Sequence, residues 1–227
     1  MNLRATILRP LRPIVLCCVL SLFAYLPGSA QTANAVTSEK NEVGLIIGVT
    51  ATPNRTLSPG SVIGDTELTS KASLALGLDY DRRIVSTDWI TLYGGANFLA
   101  SPFDVKLSNP PASVSPQYAY YFMTGHLKAK FYANSKLSPW LSAGVGYARF
   151  NEKPPSAALT FNQGTGRSTI ELGAGFDTQP VGHVASLPVA FRVEIRDFYS
   201  GLPDYGLTLV HSKQHNVVLG GGLVLRF

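Results

Sequence analysis

Cysteine is nearly absent from this chain. Of 227 residues, two are cysteine. Cys17 and Cys18 are adjacent, and both fall inside the apolar run from Ile14 to Leu26. The flanks Val15-Leu16 and Val19-Leu20 lack the small-then-polar context of a lipoprotein site. If that run is removed during export, the mature chain has no thiol, which excludes disulfides and thiolate chemistry. Histidine is also scarce, with four residues scattered at no ligand spacing, so no metal-binding set is expected. Long apolar runs are lacking as well: Ile14 to Leu26 is about 13 residues, against the roughly 17–25 a spanning helix needs. Nor is there a real excess of charge. Lys and Arg number 19 against 14 Asp and Glu. Arg4, Arg9 and Arg12 belong to the N-terminal segment, and without them the mature net charge falls to about +2. No basic patch points to nucleic acid. Gly144-Val145-Gly146 and Gly173-Ala174-Gly175 lack the strand-to-helix context of a phosphate loop. No cofactor is expected.

What the chain does have is most legible at its C-terminus. His215-Asn216-Val217-Val218-Leu219-Gly220-Gly221-Gly222-Leu223-Val224-Leu225-Arg226-Phe227 alternates. Counting back in twos from Phe227 gives Leu225, Leu223, Gly221, Leu219 and Val217, an apolar face ending on an aromatic. The other register is small or polar at most positions and holds Arg226. That pattern suits a closing strand of an outer-membrane barrel, with the aromatic at the membrane interface. The N-terminus agrees: a basic start, the short apolar run, a Pro27-Gly28 break and the small residues Gly28-Ser29-Ala30 read as a secretory signal peptide. Cleavage is expected after Ala30, with Ala33-Asn34-Ala35 as a second candidate. The expected organisation is a signal peptide over 1–30 (1–35 in the alternative), a short periplasmic segment over 31–41, and one barrel domain over 42–227.

Seven further alternating segments precede the last. They lie at about 42–50, 71–80, 90–100, 118–131, 140–150, 167–176 and 188–198, mostly near the 9–11 residues of a tilted membrane strand. The connections after the odd-numbered segments are long (about 51–70, 101–117, 151–166 and 199–214). Those after the even-numbered ones are shorter (about 81–89, 132–139 and 177–187). Long outside and short in the periplasm is the barrel rule, which places both termini in the periplasm. The predicted fold is therefore all-β: an eight-stranded antiparallel up-and-down transmembrane β-barrel. The descending segments end on Tyr80, Phe131, Phe176 and Phe227, each of outward parity, and Trp89 and Trp140 begin the third and fifth. These six are expected to form a periplasmic aromatic girdle. Tyr118, Tyr120, Tyr121 and Phe122 suggest an upper one, with some of these rings packed inside.

Charges gather on the inward parity: Asp79, Lys128, Lys130, Glu171, Arg192, Glu194, Arg196 and Arg226, with Asp81 below Asp79 and His126 above the lysines. A narrow interior tolerates charges only when paired. Arg192, Arg196, Lys128 and Lys130 are expected to meet Glu171, Glu194 and Asp79 in a salt-bridge network. Inward glycines such as Gly95, Gly173 and Gly175 make room for them.

The fifth strand (Leu141-Ser142-Ala143-Gly144-Val145-Gly146-Tyr147-Ala148-Arg149), the seventh (Phe191-Arg192-Val193-Glu194-Ile195-Arg196-Asp197-Phe198-Tyr199) and the terminal Phe227 resemble the small eight-stranded outer-membrane barrels, the OmpA-like and OmpX-like superfamily. The resemblance covers the mature chain and rests on pattern more than on motif. It implies a Gram-negative cell envelope, contact with outer-membrane lipids and lipopolysaccharide, and insertion by the barrel-assembly machinery with Leu223, Leu225 and Phe227 as the assembly signal. Unlike full-length OmpA, the chain stops at the barrel, so peptidoglycan tethering is not implied. Relatives serve as structural anchors, adhesins or narrow channels. The expected role is structural or surface-interacting through the extracellular loops. The alternatives are a narrow, porin-like gated pore and, behind it, a lipid-modifying enzyme. For catalysis the candidates are His126, His211-Ser212 and His215, but the eighth strand contains no carboxylate to orient a base. Asp197 and Asp204 are the nearest in sequence, and no catalytic residue is expected.

Overall fold

The structure, a computed structural model, describes residues 39–56, 67–70, 72–107, 117–152, 164–202 and 212–227. The expected signal peptide, most of the expected periplasmic segment, His211 and Asp204 lie outside the described residues.

Eight long strands form the barrel: β1 Asn41–Ala51, β2 Ser73–Ser86, β3 Ile90–Leu107, β4 Gln117–Phe131, β5 Leu137–Glu152, β6 Thr165–Thr178, β7 Leu187–Gly201 and β8 Lys213–Arg226. Each pairs antiparallel with its sequence neighbours, and β1 pairs with β8 to close the sheet. Two short strands, Arg55–Thr56 and Glu67–Ser70, extend the sheet beside the far end of β3. A third, Gly182–Val184, folds back on β7 through a turn in which Ala185 and Ser186 have φ of 48° and 69°. That left-handed pair matches the twist of a tight hairpin.

The alternation forecast from sequence is present in every strand, but several strands run further. β2 continues to Ser86, through a bulge between Arg83 and Val85, because β3 keeps pairing with it there. β3 reaches Leu107 and β5 reaches Glu152, so parts of the expected long connections are strand. The strand ends are set by where a partner stops, which the sequence of one strand does not contain.

The pairings also fix the stagger of the barrel. From His215 the cross-strand neighbours run through Tyr199, Ile170, Val145, Gly125, Ala96, Tyr80 and Val43 to Leu225. One circuit returns to β8 ten residues further on, a shear of 10 for eight strands. Strands so staggered tilt by roughly 40° from the barrel axis.

Burial is inverted relative to a soluble barrel. Leu45, Ile47, Met123, Leu127, Val145 and Leu219 are more than half exposed, while Asp79, Glu171, Lys128 and Arg196 are fully buried inside. An apolar outer wall is stable against hydrocarbon, and closure leaves no unpaired strand edge within it. Val189 shares the outward parity but is buried, beside the short strand Gly182–Val184. The barrel has two ends: a terminal end, with both described termini and short turns, and a loop end.

Candidate functional site

The bore of an eight-stranded barrel is only wide enough to be filled by side chains, so its inward residues define the site. In the terminal half those residues are charged. Arg192 is at the centre: its Nε donates to Asp177 Oδ1 at 2.8 Å, Nη1 to Asp79 Oδ2 at 2.6 Å and Nη2 to Asp177 Oδ2 at 3.0 Å. Arg196 donates to Glu194 Oε1 at 2.9 Å, to Asp79 Oδ2 at 3.0 Å and to Glu171. Thr124 also donates to Glu171. Lys130 bridges Glu42 Oε1 at 2.5 Å and Asp177 Oδ2 at 2.7 Å, and Lys128 joins Asp81 and Glu42. Arg226 Nε lies 3.1 Å from Glu42 Oε1. His126 Nε2 is 2.8 Å from Asp81 Oδ1.

The inward charges named from sequence are thus brought together, but two expectations need correction. The lysines do not meet Asp79, Glu171 or Glu194; they meet Glu42, Asp81 and Asp177. Glu42 and Asp177 were overlooked because each sits at the very edge of its alternating segment, although each shares the inward parity of its strand. Trp140 is a second correction. It does not join the girdle but is 1% exposed inside the bore. Its parity is that of Ser142 and Ala148, both inward, so alternation outranks the interfacial preference of tryptophan. Its Nε1 donates to Asp177 Oδ1 at 3.2 Å, and its ring faces Arg192 and Arg196 at 5.2 and 5.3 Å. Tyr93, also inside, faces Lys128 and Lys130 at 5.2 and 5.1 Å. Both rings are electron-rich walls for cations. Glycine provides the space: a Cβ on Gly175 would sit 2.7 Å from Trp140 Cζ2, and one on Gly95 2.6 Å from Asp81 Oδ1.

Asp79, Asp81 and His126 place ligand atoms within 4.8 Å of one another, a spacing that could hold a metal ion. The charge such an ion would neutralise is already met. Asp79 Oδ2 accepts from both guanidiniums, and Asp81 Oδ2 from Lys128.

The loop half of the bore is filled differently. Tyr120, Phe122, Phe150 and Phe198 are each at most 1% exposed. Phe122 stacks on Phe198 at 4.6 Å, and Tyr120 meets Phe150 edge-on at 4.8 Å. Leu99, Ala75, Ala148 and Val218 are buried on the same inward face. The polar groups here are neutral: Thr50 donates to Ser101 at 3.1 Å, and Asn216 accepts from Thr52 and Gln214 at 3.3 and 2.9 Å.

On the outer wall, Tyr80, Trp89, Phe176 and Phe227 are exposed at the terminal end, and Trp89 stacks on Phe131 at 6.5 Å. At the loop end Tyr121, Tyr147 and Tyr199 have outward parity, while Tyr120 and Phe122 point inward. Ten residues of β4 separate Tyr121 from Phe131. At ~3.4 Å per residue and a tilt of roughly 40° that is about 26 Å, close to the ~25 Å apolar band of outer-membrane barrels.

One outward pair was hidden from the sequence. His215 Nδ1 lies 2.6 Å from Asp197 Oδ2. No carboxylate lies on β8, but β7 supplies one across the strand boundary. The Tyr199 ring lies 4.7 Å from that of His215.

No family model matches the chain, and no curated protein matches its sequence. Among solved structures, Neisserial surface protein A superposes with a TM-score of 0.52 at 14% identity, over 82% of this chain and 97% of its own. The architecture is that of an integral outer-membrane β-barrel. OprG from Pseudomonas aeruginosa gives 0.49 at 15% identity, over 83% and 96%. Ail of Yersinia pestis, crystallised with the heparin analogue sucrose octasulfate, gives 0.41 at 19%, over 83% and 99%. At these identities the likeness is one of fold.

Proposed function

We propose that this protein is a closed, non-conducting outer-membrane barrel that serves as a rigid scaffold for its surface loops. The observation that carries the reading is the filling of the bore along its length. Paired ions occupy the terminal half, and fully buried rings occupy the loop half. A conducting pore needs a continuous hydrated path. Here a solute would have to displace the Phe122 and Phe198 stack and then part the Arg192 contacts with Asp79 and Asp177. A bore held this firmly keeps the strand ends in fixed positions, which is what loops used for binding require. On the same reading the loop end faces outward from the cell, and Leu223, Leu225 and Phe227 are presented to the barrel-assembly machinery. Purified protein in a planar bilayer is expected to give no unitary current steps. Steady ohmic conductance in the unmodified protein would favour the pore instead. The enzyme alternative has one observation of its own, the His215–Asp197 pair. A change in outer-membrane lipid acylation on deleting the protein would support it.

A further inference from the structure

We propose that the barrel forms a two-fold dimer in the membrane through the outer wall of β5–β8, with Asp197 of each copy set against His215 of the other. The inference rests on the barrel being membrane-embedded. It adds a partner, a second copy of this chain, and the wall that receives it.

The polar pair interrupts an otherwise apolar face. Asp197 has the outward parity of Ile195 and Tyr199 on β7, and it lies one outward step below Tyr199, on the bilayer side of that ring. His215 is the cross-strand neighbour of Tyr199, whose ring props the imidazole at 4.7 Å. Asp197 Oδ2 engages His215 Nδ1 at 2.6 Å, with the two side chains 29% and 57% exposed. The pair is incomplete. Among the described residues Asp197 Oδ1 has no hydrogen-bond partner, and the contact through Nδ1 leaves His215 Nε2 open. A turn of the carboxylate about its Cβ–Cγ bond exchanges the two oxygens, so either can meet a donor from outside.

An ionisable group facing lipid is costly and marks a candidate site. An orphaned acceptor there needs a donor, and the phosphate and ester oxygens of lipids only accept. A second copy supplies the donor by symmetry. Copies inserted in one direction are related by an axis parallel to the barrel axis, which leaves depth unchanged. The diagonal from His215 to Asp197 crosses one strand and two residues, and at a tilt of roughly 40° it runs nearly parallel to the barrel axis. A two-fold axis just outside this diagonal therefore sets each carboxylate against the other copy's imidazole. Each ring then lies between two carboxylates, and as imidazoliums the two rings balance both charges. Below the pair the wall is apolar and uneven. Leu172 is the cross-strand neighbour of Asp197, and Ala174 is that of both Ile195 and Leu141. Leu172, Ile195 and Leu141 stand out around the smaller Ala174. Small residues between larger ones let membrane-facing surfaces approach closely. On the far side of the barrel, Leu92, Gly94, Ala96 and Phe98 of β3 share the outward parity and carry no charge.

The test counts photobleaching steps of the fluorescently labelled whole protein in phosphatidylcholine vesicles over a range of protein densities. Two-step spots are expected to dominate as density rises, and single steps throughout would overturn the proposal. D197A and, independently, A174F, which fills the dent with a ring, are each expected to raise the density needed for dimers about tenfold. A96F, on the far wall, should leave it unchanged. Unaltered dimers in A174F or D197A, or an equal loss in A96F, would overturn the idea. Phosphatidylethanolamine carries an ammonium that can itself donate to Asp197. Substituting it for phosphatidylcholine should leave the count unchanged, and loss of dimers there would make a lipid amine the occupant instead. If D197A fails the heat-modifiable gel shift of a folded barrel, A174F alone decides. None of these readouts depends on whether the barrel conducts.

Discussion

The two halves of the bore solve one packing problem with opposite chemistry. The terminal half is ionic, with six carboxylates (Glu42, Asp79, Asp81, Glu171, Asp177 and Glu194) against the five permanent cations Lys128, Lys130, Arg192, Arg196 and Arg226, all buried. The loop half is aromatic. Rings gain from dispersion and contact area wherever they fit. Buried ions gain only if nearly every partner is present. The comparison teaches that the ionic half carries specificity and the aromatic half carries tolerance. A ring can be exchanged for another apolar group of similar volume, but a guanidinium holding three carboxylates cannot.

Substitutions can break this comparison, beginning with the largest. Arg192→Ala removes one cation from Asp177 and one from Asp79, leaving them to Lys130 and Arg196, and a broken buried pair costs about 3–5 kcal/mol. Urea unfolding in detergent or vesicles should show that loss, and the double change with Asp177→Asn should recover part of it. A loss below 1 kcal/mol would mean that water already fills the terminal half. Phe122→Ala removes the stack on Phe198, with an expected loss of about 3 kcal/mol. Phe122→Leu should cost about 1 kcal/mol; similar costs for the two would contradict the tolerance assigned to this half. Gly175→Ala pushes a methyl into the Val193 carbonyl as well as into Trp140 and should cost about 1–3 kcal/mol by overpacking. Combining it with Trp140→Phe should relieve only the ring's share of that penalty, read in the same unfolding curves. Trp140→Phe alone removes the hydrogen bond to Asp177 but keeps a ring near the cations, for an expected cost of about 1 kcal/mol. A larger effect would assign the indole a greater share of the ionic half than its contacts indicate.

Most of the barrel was legible in the sequence because a strand repeats every two residues. That period sorted Leu219 outward and Arg192 inward without reference to any neighbour. What it could not show was relation between strands. Glu42 and Asp177 escape it because an alternating segment fades at its ends, while the lumen continues there. Trp140 belongs to the lumen by parity, which outranks the interfacial preference of its residue type. The aromatic filling by Phe150 and Phe198 is silent in sequence because apolar residues on the inward face leave no contrast to read. The His215–Asp197 contact depends on the register between β7 and β8, which is a property of two strands together.

Glu42 gives the barrel a way to sense its own completion. Its carboxylate, on the first strand, meets Lys130 on the fourth, Arg192 on the seventh and Arg226 on the last, and two of those contacts span 88 and 150 residues of sequence. A sheet lacking either edge strand would leave some of these cations unmatched, so partly assembled forms gain little from the network. Its stabilisation arrives with the final zipping of β1 to β8, which makes closure all-or-none and, by the length of chain enclosed, slow.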